Sequence, residues 1–362
     1  MKPLHPRTAC IMFILCLLLA GCGAPSDLTP TPPAVVSSTS QPSQTTSPTG
    51  ISPSEIIPTS SPTISTPVVV LSKPAESSLS QADQIESTLA ALSEAAGYRF
   101  QVRQSLSRED LGAEFHLVVA LPPNPGLSDL AAAAPRTQFI GVGISGLEPH
   151  DNLTLIDPQG TGPDEIGFVA GYIAAVATPE WRVGVISASD TASGIAARNG
   201  FLNGVVYFCG LCRQTYPPFY DYPLYVELPS GSDQAEWQAA ADVLRDKFVK
   251  SVYVSPEASS EALLNYLAQS DLNIIGNSQP PEAIQGHWVT SIQSDYINVL
   301  NDLWTEVLGG NGGRNVSVGL KLDAINADLF SPGRQRLVED LLKDLQGGYV
   351  DTGVDPLTGE LH

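Results

Sequence analysis

Residues 166–188 read IGFVAGYIAAVATPEWRVGVISA, two apolar runs parted by a short polar stretch that contains Pro179. The first run is about a dozen residues long, whereas a bilayer-spanning helix needs roughly 20, so the pair is the interior of a folded domain and not a membrane hairpin. Pro163 suits the first turn of a helix, Asp164 and Glu165 suit its positive end, and Thr178-Pro179 stops it. The second run, 182–187, is short and rich in Val and Ile, and reads as a buried strand. A helix without a polar face that feeds such a strand predicts a sheet covered on both sides.

The same alternation runs along the chain. The pattern predicts a strand over 68–71, a helix over 81–96, and strands over 100–104, 116–121 and 138–142. After the helix and strand just described come a helix over 192–207, a strand over 224–228, a helix over 234–249 and a strand over 251–254. A helix over 259–269, strands over 273–275 and 287–290, a helix over 295–308, a strand over 316–320 and a helix over 332–345 complete it. Repeated βα units through two halves predict an α/β fold of two doubly wound lobes with a cleft between them, into which the carboxyl ends of the strands point.

The amino end is of another kind. Lys2 and Arg7 precede an apolar stretch, Ile11 to Ala20, which closes on Leu19-Ala20-Gly21-Cys22. This is the layout of a cleavable export signal, and its LAGC ending resembles the lipobox of bacterial lipoproteins, which implies cleavage before Cys22 and lipid on its thiol. Residues 22–67 are dominated by Ser, Thr and Pro and predict a disordered, extended tether. At about 3.1 Å per residue it reaches at most about 140 Å. The expected organisation is therefore a signal peptide over 1–21, a lipid-anchored linker over 22–67, a first lobe over 68–165 with part of the C-terminal segment, and a second lobe with the hinge crossovers over 166–362.

The chain's formal charge is −20, and loss of Lys2 and Arg7 with the signal takes it to −22. Such acidity argues against nucleic acid as a partner and says little about a small ligand. After removal of the signal and lipidation of Cys22, only Cys209 and Cys212 remain, in FCGLCR. A C-x-x-C serves as a redox site, half a zinc site or a local disulfide. The five histidines are scattered without ligand spacing, so no metal is expected, and the prolines of RQTYPPF prevent the helix that a thioredoxin-like site requires. A structural disulfide in an oxidising compartment is the expectation.

Residues 164–204, DEIGFVAGYIAAVATPEWRVGVISASDTASGIAARNGFLNG, resemble the block with which the basic membrane protein (BMP, PnrA-like) family of solute-binding lipoproteins enters its second lobe. QFIGVGISGLEPHDNLTLI, just before it, is similar to the family's preceding segment, and QAAADVL, LNIIGNSQ and GHWVTSI follow the family order more loosely. The resemblance implies a type 1 periplasmic binding fold, a nucleoside-like ligand and an ABC-type permease as partner. It also implies that Gly167 and Gly171 let a packed crossover helix approach its neighbour closely. The departures fall at the ligand. Where the family has D-x-SFNQ this chain has SSLSQ, so Leu79 replaces the stacking Phe, Ser80 replaces Asn, and Gln81 is retained. Gly143 replaces an Asp, and GNSQ leaves Asn277 where the family has another. Carboxylates that would chelate ribose hydroxyls are missing at both positions.

Strand ends add further candidates for the cleft: Ser187, Ser189 and Asp190 in SASD, then Glu257, Asn277 and Lys321. A residue of SASD equally suits the cap of the following helix. GVGISG (141–146) matches G-x-G-x-x-G in form, but LEPHDN follows in place of a helix, so no dinucleotide site is predicted. No metalloprotease, Walker or nucleophile-elbow motif occurs, so neither catalysis nor a cofactor is expected. The chain reads as a lipid-anchored, extracytoplasmic solute-binding protein of the cell membrane that captures a small polar ligand between two lobes for an ABC-type importer. The alternative is a ligand-sensing or structural surface lipoprotein of the same fold without a transport role.

Overall fold

A computed structural model describes Thr66–His362. The export signal, Cys22 and nearly all of the 22–67 stretch lie outside the described residues. Two sheets, each of six strands, organise the rest. The first is built from β1 (Val68–Ser72), β2 (Arg99–Arg103), β3 (Phe115–Ala120), β4 (Gln138–Val142) and β5 (Leu153–Ile156), with helices α1 (Ala82–Ala95) and α2 (Leu127–Ala133) between them. The second contains β6 (Val183–Ala188), β7 (Leu224–Leu228), β8 (Ser251–Val254), β9 (Asn273–Gly276) and β10 (Trp288–Ser294). Its helices are α3 (Pro163–Ala177), α4 (Ala192–Cys209), α5 (Gln234–Asp246) and α6 (Glu261–Gln269). The chain then returns through α7 (Tyr296–Leu308) and β11 (Asn315–Val316) and ends with β12 (Leu320–Asp323) and α8 (Pro332–Gln346).

The first sheet has the order β11-β5-β4-β3-β1-β2 and is parallel throughout. The second, β12-β10-β9-β8-β6-β7, is parallel apart from β12. Each is covered on both faces, as the continuous Val, Ile and Leu runs of its central strands require. Helix α7 belongs to the first lobe, where Leu300, Leu303, Trp304 and Val307 pack with Ile85 and Leu89 of α1.

Two features depart from the sequence expectation. The strand expected over 316–320 is divided: β11 pairs with β5 in the first sheet and β12 pairs with β10 in the second, with Ser317–Gly319 crossing between them. Local propensity is the same on either side of the crossing, and only the partners differ. Strand β5 and helix α2 were not expected, being only four and seven residues long.

Helix α3 is apolar all round because it has no solvent face along most of its length. It sits on the second sheet against α4 and α8, and Val169, Ile173 and Ala174 are wholly buried. Its contact with α4 is made by backbone. A Cβ at Gly167 would strike the Ala197 carbonyl, one at Gly171 the Phe201 carbonyl, one at Gly200 the Asp164 carbonyl and one at Gly204 the Phe168 carbonyl. Two four-residue glycine spacings, one on each helix, therefore interlock, as expected for Gly167 and Gly171 from the resemblance. The C-terminal segment crosses the same helix pair: Asn203 donates to the Thr352 carbonyl (2.8 Å), Asn199 to the Gly359 carbonyl (2.7 Å) and the Thr352 hydroxyl to buried Asp164 (2.6 Å).

Because backbone cannot yield as a flexible side chain does, Gly204→Ala should destabilise the fold by about 1–3 kcal/mol or more. Gly231→Ala, where a Cβ meets nothing within 4 Å, should stay within about 0.5 kcal/mol. Chemical denaturation of both variants checks this, and equal midpoints would remove the close-packing account.

Candidate functional site

Three crossings join the lobes: residues 157–162 between β5 and α3, Asp295 between β10 and α7, and 317–319 between β11 and β12. They are bonded to one another. The Thr161 and Ser294 hydroxyls share a hydrogen bond of 2.7 Å, the Asp295 amide donates to the Gly319 carbonyl at 2.8 Å and the Asp157 amide to the Val316 carbonyl at 2.9 Å. Asp157 takes a left-handed backbone (φ 53°), which Asp tolerates better than most residues. Its carboxylate accepts from the Tyr296 hydroxyl at 2.9 Å. Burial raises the Asp157 pKa, against the opposing effect of the Tyr296 and Thr161 hydrogen bonds. Burial likewise raises that of Tyr296, with the Asp157 carboxylate adding to it.

The carboxyl ends of both sheets meet at these crossings. In the second lobe, Val185 of β6 and Tyr253 of β8 lie side by side on the face that carries α3 and α4. Ser187 and Ser255, one period further along each strand, are fully buried. Neither hydroxyl has a partner, and the same holds for Glu257 Oε2; the Tyr253 hydroxyl and the Asn277 amide have only each other, in a contact that opposes the rise of the Tyr253 pKa. The Tyr253 hydroxyl lies beside Asn277 and Glu257, and burial raises its pKa. Glu257 Oε1 accepts from the Ser193 hydroxyl in the first turn of α4, whose amino end favours the negative charge. Buried polar groups are normally paired, which makes this row at the carboxyl ends of β6, β8 and β9 the candidate binding surface.

The sequence-level candidates fall into three sets. Ser187, Glu257 and Asn277 belong to this row. In the first lobe Leu79 and Gly143 lie together: a Cβ on Gly143 (φ +61°) would meet Leu79 Cδ1 and the Tyr296 hydroxyl, each at 3.6 Å. Gln81 is buried nearby and donates to the Ser294 carbonyl at 2.7 Å, which ties α1 to a crossing, while its Oε1 stays unpaired. The remaining candidates are engaged elsewhere or open to solvent. Ser80 is exposed, and the Ser189 amide extends the pairing to β7 through the Leu228 carbonyl. Asp190 accepts from the Ser230 amide at 2.7 Å, and that bond lowers its pKa. Lys321 lies 3.4 Å from Asp295 and lines a crevice of about 540 Å³ between β12 and α1. The cap of α4 is Thr191, which accepts from the Gly194 amide. Sequence reasoning missed Tyr253, Ser255 and Ser193. The first two are polar residues at the end of an apolar strand, a signal that was readable, whereas Ser193 is fixed only by its contact with Glu257.

No protein-family model matches the chain, and no curated protein matches it. Solved structures do. An ABC transporter system solute-binding protein from Conexibacter woesei aligns with a TM-score of 0.60 at 20% identity, over 79% of this chain and 98% of that one. A second, from Aeropyrum pernix, gives 0.53 at 18% identity over 79% and 92%. The fold is that of the type 1 periplasmic binding proteins. A transcriptional activator of the comK gene from Bacillus halodurans shares it, at 0.52 and 11% identity over 82% and 99%, so the fold by itself does not choose a function. Among the described residues no helix is long and apolar enough to cross a membrane.

The Asp157 carboxyl gives a pH test. With its folded pKa raised by burial, Asp157 holds its proton more tightly folded than unfolded, so its contribution to stability is present at low pH and lost as pH rises from about 3.9 through the raised value. Asp157→Asn should therefore gain stability relative to the parent across that rise, and the two should converge below it. Melting temperature against pH measures the difference, and a constant offset would refute the assignment.

Proposed function

We propose that this chain is an extracytoplasmic solute-binding protein that holds a small polar molecule between its lobes and releases it to an ABC-type importer. One observation carries the reading: the row of buried polar atoms from Ser187 to Asn277, without partners outside the row, stands at the strand ends beside the interlobe crossings. Ligand contacts would offset the cost of closing the lobes about the three crossings. Export by the 1–21 segment, attachment through Cys22, the 22–67 tether and a Cys209–Cys212 disulfide belong to the same proposal. The two cysteine sulfurs are adjacent, with Cα atoms 5.0 Å apart.

A thermal-shift screen of small solutes on the full chain tests it. A ligand at a hundredfold excess over its Kd adds about 2.7 kcal/mol, several degrees for a protein of this size, and Ser187→Leu, which removes a hydroxyl of the row, should abolish the shift. If no solute shifts the wild type, the surface-receptor alternative replaces this reading.

Nucleosides should not be the ligand. Leu79 cannot provide aromatic stacking worth about 1–3 kcal/mol, and each lost charge-assisted hydrogen bond at Gly143 and Asn277 forfeits about 1.5–3 kcal/mol. Calorimetry with adenosine, guanosine, inosine and uridine should find no Kd below about 100 μM, or −5.5 kcal/mol. Low-micromolar binding of any one would show that other residues have taken over those roles.

Attachment has its own check. In the exported protein, Cys22→Ser should block processing or release the chain from the membrane fraction, and intact mass after alkylation should show Cys209 and Cys212 unlabelled. Unchanged retention with normal cleavage, or two labelled cysteines, counts against the respective assignment.

A further inference from the structure

The second lobe has another pole, opposite the cleft, where the connections enter the amino ends of the parallel strands β6, β7, β8 and β9. There Tyr216 is 68% exposed, Phe219 65% and Phe248 49%. Contacts join them into one surface. The Tyr220 ring stacks on Phe248 with centroids 6.5 Å apart, and the Tyr222 hydroxyl donates to the Lys247 carbonyl. Glu180 Oε1 accepts from the Thr215 and Tyr216 amides, each at 3.1 Å, and Arg182 donates to the Tyr216 carbonyl at 2.9 Å. The Lys250 amide donates in turn to the Arg182 carbonyl at 2.7 Å. The exposed rings are therefore displayed on a braced loop.

Phe248 follows the C-cap of α5 with φ 60°, and the Phe248 and Val249 amides donate to the Arg245 and Leu244 carbonyls at 2.8 and 3.1 Å. Glycine normally fills that left-handed position because it lacks a Cβ, and a bulky residue there is strained. Half of the ring stays in water, so burial does not offset the strain, and strain of this kind collects at functional surfaces. Charge then points to the partner. Arg213, Lys247 and Lys250 are exposed on the same connections and form no salt bridge among the described residues. Glu180 is held by Arg182, and Asp242 and Asp246 by Arg245, which leaves the carboxylates of Asp221 and Asp271. In a chain of formal charge −20 this pole is close to neutral and sets cations beside aromatic rings. Rings that settle among headgroups and cations that meet phosphates suit the interface of an anionic bilayer. A second copy would instead bring two strongly acidic chains together.

We propose that this pole docks on the surface of an anionic phospholipid bilayer, with Tyr216, Phe219 and Phe248 among the headgroups and Lys247 and Lys250 against their phosphates. It takes from the proposed function only that the chain is held at a membrane, where a tether over 22–67, reaching at most about 140 Å, leaves the pole free to meet the lipid. Phe219→Trp and, as a control, Tyr349→Trp test it in the full chain on phosphatidylglycerol vesicles that contain brominated lipid, each read against the parent. Tyr349 is 84% exposed and follows α8, whose end adjoins the third crossing. The lipid should quench the indole at position 219 and leave the one at 349 unquenched. Lys247→Glu combined with Lys250→Glu should lower quenching at 219 about threefold or more. Position is compared with position in one chain, so the contrast does not depend on lipid at Cys22, and failure of that attachment shows in membrane retention instead. Equal quenching at both positions, none at either, or quenching untouched by the lysine reversals overturns the proposal. No quenching together with dimers that Phe219→Ser dissolves, read by sedimentation, overturns it in favour of a second copy.

Discussion

The close backbone contact between α3 and α4 is the constraint from which the second lobe follows. Four glycines let carbonyls of each helix lie against the other helix's main chain, an arrangement held by dispersion and weak Cα–H···O contacts. A helix so enclosed has no use for a polar face, which is why α3 is apolar all round. It also fixes α4 relative to the crossing that precedes α3, so the first turn of α4, with Thr191 and Ser193, stands at the strand ends beside Glu257. The position of the polar row is thus set by packing well away from it.

The three interlobe crossings follow a complementary principle. The crossings are short and bonded mainly through hydroxyls and main-chain groups, with Asp157 and Tyr296 as the one buried ionisable pair among them. Under the proposed function, few side chains would have to rearrange if lobes joined this way closed as rigid bodies about a few residues. Gln81 joins α1 to the second crossing, so the residue that matches the resembled family's ligand loop here also ties the first lobe to the end of β10.

The two sides of the cleft are chemically unequal. The second lobe supplies a carboxylate, an amide and three hydroxyls, and the first supplies small or apolar groups with a few further hydroxyls. Asp190 and Lys321, which carry the charges a strand-end rule would assign to the cleft, are drawn off by Ser230 and Asp295.

The sequence by itself determined the two-lobed α/β plan, because apolar runs with period-two and period-3.6 spacing are local signals that tertiary context rarely reverses. The resemblance of 164–204 implied one half of the glycine contact, at Gly167 and Gly171, while Gly200 and Gly204 on α4 emerged only from the structure. The sequence also placed Ser187, Glu257 and Asn277 at strand ends. What only the tertiary structure decided was partnership. The 316–320 stretch belongs to two sheets because its halves find partners in different lobes, a choice no local propensity encodes. Likewise Asp190 and Ser189 are polar residues at a strand end as much as Ser187 is, yet a turn 40 residues on engages Asp190. Ser193 entered the site only through its contact with Glu257. Whether a polar side chain is free to bind depends on which neighbours satisfy it, and those neighbours are assembled by the fold.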